Sequence, residues 1–186
     1  MYKKIMIIAA LLLITVNFYA QEAKKHTKTV ETKMEAFASK TGTITKFTDV
    51  KQANIKTAYE VTEARVRKVN SGLITSFFFQ IEKTGKYSNP TASIEYSDLI
   101  EVIKALKTLI LEVDKDVLNK PDYLENKFVT VDGFQIGYYV SKEKATWYMK
   151  LEKYGSESTV FINDVSTIES AFNDAKTKIE EQKNYK

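Results

Sequence analysis

The feature that most constrains this chain is an internal repeat. Phe77-Phe78-Phe79-Gln80-Ile81-Glu82-Lys83-Thr84-Gly85 lies over Trp147-Tyr148-Met149-Lys150-Leu151-Glu152-Lys153-Tyr154-Gly155, with apolar positions coinciding and Glu-Lys-x-Gly identical. The same offset sets Tyr59-Glu60-Val61 and Ala64-Arg65-Val66 on Val129-Thr130-Val131 and Phe134-Gln135-Ile136. Beyond the glycines the offset shrinks by four, as it would if the first copy carried a longer turn at Lys86 to Pro90. Turns are where such length changes are tolerated. Ile94, Tyr96, Asp98, Leu99, Val102, Ala105, Leu106 and Leu109 then meet Val160, Ile162, Asp164, Val165, Ile168, Ala171, Phe172 and Ala175. A repeat of this length implies two copies of one supersecondary unit, at about 59–110 and 129–176, that bury their apolar faces together.

Periodicity assigns the elements. Phe77, Phe79 and Ile81 alternate with Phe78 and Gln80, and Trp147, Met149 and Leu151 alternate likewise, which is a strand with one face inward. Asp98 with Glu101 three residues on reads as an acidic helix cap. Leu99, Val102, Ile103, Leu106, Leu109, Ile110 and Val113 follow it at helical spacing. In the second copy Asp164 or Ser166 caps a stripe of Val165, Ile168, Phe172, Ala175 and Ile179. Strands are expected near Gly42–Asp49, Ala58–Val69, Leu73–Glu82 and Thr91–Tyr96, with a helix to about Val113. A second set follows near Lys127–Val131, Phe134–Ser141, Thr146–Glu152 and Ser158–Ile162, with a helix to about Gln182. The fold class is α+β, with duplicated β-β-β-β-α units whose antiparallel sheets pack with two amphipathic helices around one core.

The N-terminus has the order of an export signal: Lys3 and Lys4, an apolar run from Ile5 to Val16, and the small residue Ala20 before Gln21. The run is too short for a spanning helix, which needs about 20 apolar residues. Residues 1–20 are therefore expected to be a cleavable leader, 21–41 a polar tether or marginal helix, and 42–186 a single domain, periplasmic or secreted. The mature chain has 26 basic and 24 acidic residues, a balance that disfavours binding nucleic acid through counterion release. Cysteine is absent, so neither a disulfide nor a lipid-modified thiol is available.

The residues that usually carry chemistry are scarce. The single histidine, His26, falls in the polar segment. Cysteine–histidine and serine–histidine–aspartate systems and typical zinc sites are thus out of reach, and no glycine-rich phosphate loop occurs. Asp114, Asp116, Asp122 and Glu125 form the densest carboxylate group. Lysines interrupt it and it lacks the order of a calcium loop, so it reads as a solvated connection after the first helix. No catalytic residue, metal site or cofactor is expected.

Alternation instead places Arg65, Arg67, Phe78, Gln80, Gln135, Tyr139, Tyr148 and Lys150 on the outward sheet face, with Phe78 and Tyr148 at equivalent repeat positions. Aromatics beside cations stack on bases, sugars or partner side chains. The competing reading is that this second face is covered by the N-terminal segment, the other repeat or a second copy of the chain. The order of elements across about Gly42–Gln182 resembles the Whirly-like and related single-stranded-DNA-binding coactivator fold. That resemblance implies sheets presenting aromatic and basic residues to nucleic acid. The Lys-Gly-Lys-type strand signature is missing, so no binding residue carries over. The expected function is an exported, non-catalytic binding or interaction module. The alternatives are a single-stranded nucleic-acid binder of the Whirly-like type and a hydrolase. Its partners would be an envelope or extracellular protein, a glycan, or another copy of itself, with nucleic acid disfavoured. Intact mass of the protein recovered from an export host is expected to begin near Gln21, and a full-length chain retained in the membrane would overturn the leader.

Overall fold

The computed structural model describes residues 31–155 and 157–184. The expected leader and His26 lie outside the described residues. The chain divides between Glu31 and Thr32, and the second unit carries all of the elements that follow. These are α1 (Lys33–Ala38), β1 (Thr45–Lys51), β2 (Ile55–Lys56), β3 (Val61–Ser71), β4 (Ile74–Glu82), β5 (Thr91–Glu95) and α2 (Tyr96–Leu118). Then come β6 (Leu124–Val129), β7 (Gln135–Ser141), β8 (Lys144–Lys150), β9 (Thr159–Ile162) and α3 (Val165–Asn184).

Two antiparallel sheets result. The first runs β1-β3-β4-β5, with the short β2 beside the start of β3, and the second runs β6-β7-β8-β9. The α+β duplication is thus borne out: β3-β4-β5-α2 answers β7-β8-β9-α3 in order and register. Gln80 faces Ser93 across a connection four residues longer than the one by which Lys150 faces Thr159. This is the length difference expected at the turn. Phe77 and Trp147 occupy matching inward positions in the shared core.

Each helix serves both repeats. Helix α2 lies against β4 and β5 of its own repeat and against β6, β7 and β8 of the other, while α3 lies against β2 and β3 of the first. One core cluster therefore holds Val66, Phe79 and Ile81 with Ile136, Met149 and Val160, closed by Leu99, Val102 and Leu106 from α2 and Ile168, Phe172 and Ile179 from α3. Phe172 is the joint: its ring meets Phe79 edge-on at 5.3 Å and Phe134 at 6.0 Å.

The structure departs from the sequence expectation at three places. Helix α2 continues to Leu118 because Val113 and Val117 extend its apolar stripe onto the core and no glycine or proline intervenes. It ends where Lys120 takes a φ of 49° and Pro121 follows. Its cap is Glu95, whose carboxylate accepts from the Ser97 backbone at 2.9 Å, rather than Asp98. In the second repeat Asp164 does cap, accepting from Ser166 N at 2.9 Å. Ahead of Ala64 the repeat match is not structural, since Val61 opens β3 whereas Val129 closes β6. Within the segment read as a polar tether or marginal helix, residues 33–38 form α1, whose capping box joins Thr32 and Glu35.

The shared core predicts unequal costs on one helix. Phe172→Ala is expected to destabilise the protein by about 3 to 5 kcal/mol, and Glu181→Ala on the exposed face by no more than about 0.5 kcal/mol. Urea midpoints decide it, and an unchanged midpoint for Phe172→Ala would mean that α3 does not close the core.

Candidate functional site

The eight outward residues fall four to each sheet, and the two sheets treat them differently. On the first, the cations are committed to carboxylates across the strands. Arg67 donates through Nε and Nη2 to the two oxygens of Asp49, each at 2.6 Å. Arg65 donates to Gln80 Oε1 at 2.8 Å and to Glu82 Oε2 at 2.6 Å, and Gln80 passes a hydrogen bond on to Ser93 at 2.8 Å. The hydrogen bond from Arg67 holds Asp49 below the usual carboxylate range, and that from Arg65 does the same for Glu82.

Phe78 is not an exposed stacking ring: it retains 1% of its accessible surface, and its outward neighbour Val69 none. Helix α1 lies against β3 and β5, the strands on either side of β4. It is pinned there by the opposite repeat as well as by its own. The Lys33 backbone N–H donates to both Asp132 oxygens in the β6–β7 turn, at 3.1 and 3.2 Å, and Lys33 Nζ meets Asp98 at 2.6 Å. Burial raises the Asp132 carboxyl above its ordinary value. The N-terminal segment thus covers the face that alternation left open.

On the second sheet Tyr148 is also buried, at 7%. Gly137 stands between it and Lys127 of β6, and the tyrosine hydroxyl crosses that gap to donate to Glu125 Oε1 at 2.6 Å. A side chain at Gly137 is excluded, because its Cβ would approach the Asn126 carbonyl oxygen to 2.3 Å. Tyr139 stacks on Tyr123 at 6.2 Å, and Gln135 pairs across the strands with Lys150.

Of the four carboxylates read from sequence as a solvated connection, Asp114 and Asp122 are exposed, but Asp116 and Glu125 are partners of buried tyrosines. Asp116 lies on α2, where it accepts from Tyr138 at 2.6 Å, and Glu125 lies on β6. Burial, reinforced by Asp116, pushes the Tyr138 hydroxyl up to about 12, and burial with Glu125 raises Tyr148 as well. The Tyr148 hydrogen bond, aided by Lys127, lowers Glu125.

A recess with room for a ligand was not anticipated. A cleft of about 360 Å³ opens between Gln52–Ile55 and the first turns of α3. Its floor is apolar and buried, formed by Ile55, Ala64 and Phe79, with Ala171 beside them. Its rim is polar: Gln52, Asn54, Ser166, Thr167, Ser170 and Asp174. The near wall comes from chain that only the first repeat possesses. Thirteen residues separate Lys51 from its partner Arg65, against five between Val129 and Gln135. The extra length is tied down at both sides, by Gln52 N donating to Ala64 O at 2.9 Å and Ala58 N to Phe161 O at 2.8 Å. That length mismatch was the signal available in the sequence. Among the described residues no group of three or more His, Asp or Glu side chains is placed to hold a metal ion.

The tyrosine–carboxylate bond generates a pH prediction. Glu125 is lowered by folding, so its stabilisation is present above the usual glutamate range and is lost as pH falls through the lowered value. Tyr148→Phe should cost about 1 kcal/mol at neutral pH, and the cost should shrink in acid, where the protonated carboxyl makes only a neutral hydrogen bond. Urea midpoints at both pH values check this; equal midpoints for parent and variant at neutral pH would deny the bond any role.

No protein-family model matches the chain, and neither a curated protein nor a solved structure is significantly similar to it.

Proposed function

We propose that the chain is an exported, non-catalytic binding module whose ligand seat is the cleft between Gln52–Ile55 and α3. The observation that carries this reading is the make-up of that cleft. An apolar floor of Ile55, Ala64 and Phe79 beneath a rim of amides, hydroxyls and one carboxylate is how small-molecule sites are generally built. Its volume suits a ligand of a few rings or fewer. The rim offers Asn54, Ser166, Thr167 and Ser170 as neutral hydrogen-bonding groups, and Asp174 as its one charge. The ligand class that fits is a small neutral or cationic polyhydroxy or amino compound with an apolar face.

Binding rather than turnover is supported by what surrounds the polar groups. Ser170 donates to Asp174 at 3.4 Å, a weak contact, and among the described residues no imidazole adjoins it to relay a proton from the hydroxyl. The hydroxyls whose acidity the fold moves furthest, Tyr138 and Tyr148, lie on the second sheet and are held by Asp116 and Glu125. Export rests on Lys3, Lys4 and the apolar run from Ile5 to Val16.

Thermal unfolding against a panel of monosaccharides, amino acids and polyamines tests the seat. A true ligand at a hundredfold excess over its Kd should stabilise the parent by about 2.7 kcal/mol, and Ala171→Phe, which fills the cleft, should abolish the effect while remaining folded. A panel member that stabilises parent and variant equally binds elsewhere, and a panel without effect on the parent removes this ligand class.

A further inference from the structure

The two β-hairpins at matching places in the repeats differ in a way that the fold does not require. In the second repeat β7 and β8 are joined by Lys142-Glu143, with Ser141 opposite Lys144. Both turn residues sit at positive φ, 51° and 58°, and the tip is charged, as a solvent-facing turn ordinarily is. In the first repeat Gly72-Leu73 joins β3 and β4, with Ser71 opposite Ile74. Gly72, at a φ of 59°, makes the turn, and nothing in the turn calls for the aliphatic pair that follows it. Leu73 is as exposed as a free side chain, at 105%, and Ile74 is 53% exposed. Ile44 joins them. Its carbonyl accepts from Gly72 N at 3.3 Å, and its side chain is 89% exposed.

The charge around this tip is of one sign. No acidic residue occurs from Ala36 to Thr48 or from Ala64 to Ile81, the two stretches that build the end of the sheet. Lys40, Lys46 and Lys68 lie within them, and none of the three is in an ion pair among the described residues, whereas Arg65 and Arg67 are each matched by a carboxylate. Lys46 faces Asn70 and Lys68 faces Thr48 across the strands, so both flank the hairpin on the sheet.

We propose that this end of the first sheet is a contact for an anionic membrane surface. Leu73, Ile74 and Ile44 enter the boundary between headgroups and acyl chains, and Lys40, Lys46 and Lys68 rest among the headgroups. Bare aliphatics at the tip of a rigid hairpin lose water on such insertion, and lysines beside them gain from the negative surface potential. A monomer in water gains from neither. The duplicated hairpin, charged at the same position, is the internal control: the fold itself is content with Lys142-Glu143. The contact is independent of the cleft.

Because the chain has no cysteine, a local probe can separate this contact from any binding by the apolar run at Ile5 to Val16. An environment-sensitive fluorophore on Thr75→Cys, beside the tip, should shift to the blue with vesicles of phosphatidylcholine and phosphatidylglycerol, and be quenched by lipid-borne spin labels. The same fluorophore on Glu143→Cys should stay water-like. Adding Leu73→Glu to the Thr75→Cys chain should weaken partitioning about tenfold or more. Replacing Lys40, Lys46 and Lys68 by glutamine, or using phosphatidylcholine alone, should weaken it several-fold. All of these side chains but Lys68 are exposed, so folding is not at stake in the Leu73 comparison. An unshifted probe at Thr75, or an equal shift at Glu143, overturns the proposal. A blue shift without vesicles that grows with protein concentration also overturns it, by assigning the tip to a contact between copies.

Discussion

Phe172 comes from the helix that closes the second repeat, yet its ring is packed edge-on against Phe79 in the middle of the first sheet and tilted against Phe134 just before β7. Around that contact the repeats exchange cover. Helix α2 reaches from β4 and β5 across to β6, β7 and β8, and α3 reaches back to β2 and β3. A four-stranded sheet with one helix has more inward apolar surface than that helix can shield, so neither repeat closes alone. The consequence is a single cooperative core, and the connections between repeats reinforce it. Thr91 N donates to Glu152 at 2.9 Å and Ala58 N to the Phe161 carbonyl at 2.8 Å, each crossing from one repeat to the other.

With the inner faces joined, each sheet still has an outer face to settle, and the repeats settle it by different chemistry at the same positions. Phe78 and Tyr148 are equivalent, and both are buried. Beside Phe78 the neighbouring strand supplies Arg67, bound bidentately to Asp49, and α1 lies against the flanking strands. Beside Tyr148 it supplies Gly137, and the tyrosine lies across the vacant position to reach Glu125. A phenylalanine needs a lid; a tyrosine over a glycine can satisfy its own hydroxyl and cover the backbone at once. The lid in turn needs Asp132, a carboxylate that burial makes costly to ionise and that the Lys33 backbone N–H helps to hold.

Much of this was legible in the sequence because the inner faces obey period. Phe77, Phe79 and Ile81 alternate, the α2 stripe recurs at helical spacing, and the four-residue difference between the repeats fell where a turn was expected. Alternation also set Phe78 and Tyr148 apart from the inward positions, and neither belongs to the shared core cluster. It could not say that their faces were closed, since the cover comes from α1, six residues long in a polar stretch, and from a glycine whose meaning depends on its neighbours across two strands. The carboxylates after Val113 looked solvated for a related reason. Their partners, Tyr138 and Tyr148, lie 22 and 23 residues further along the chain, and only the register of β6, β7 and β8 brings them together. The cleft is not legible from the matched positions, because its wall is the extra chain that precedes them.

The places where the copies agree are those that the core demands; the places where they disagree carry no such demand, and there the chain is free to be something other than stable. Two disagreements stand out, and both lie in the first repeat. One is the added length between β1 and β3, which walls a cleft against α3 while being anchored to β9 of the other copy. The other is the β3–β4 tip, aliphatic where its twin is charged. The second repeat has the shorter connection and the charged turn, even though its turn residues both adopt left-handed backbone angles without glycine to ease them. It keeps solubility at the expense of local strain, whereas the first repeat has an unstrained turn and exposed leucine and isoleucine. Folding alone requires neither the added length nor the aliphatic tip, and both leave the first repeat with surface that the core does not use.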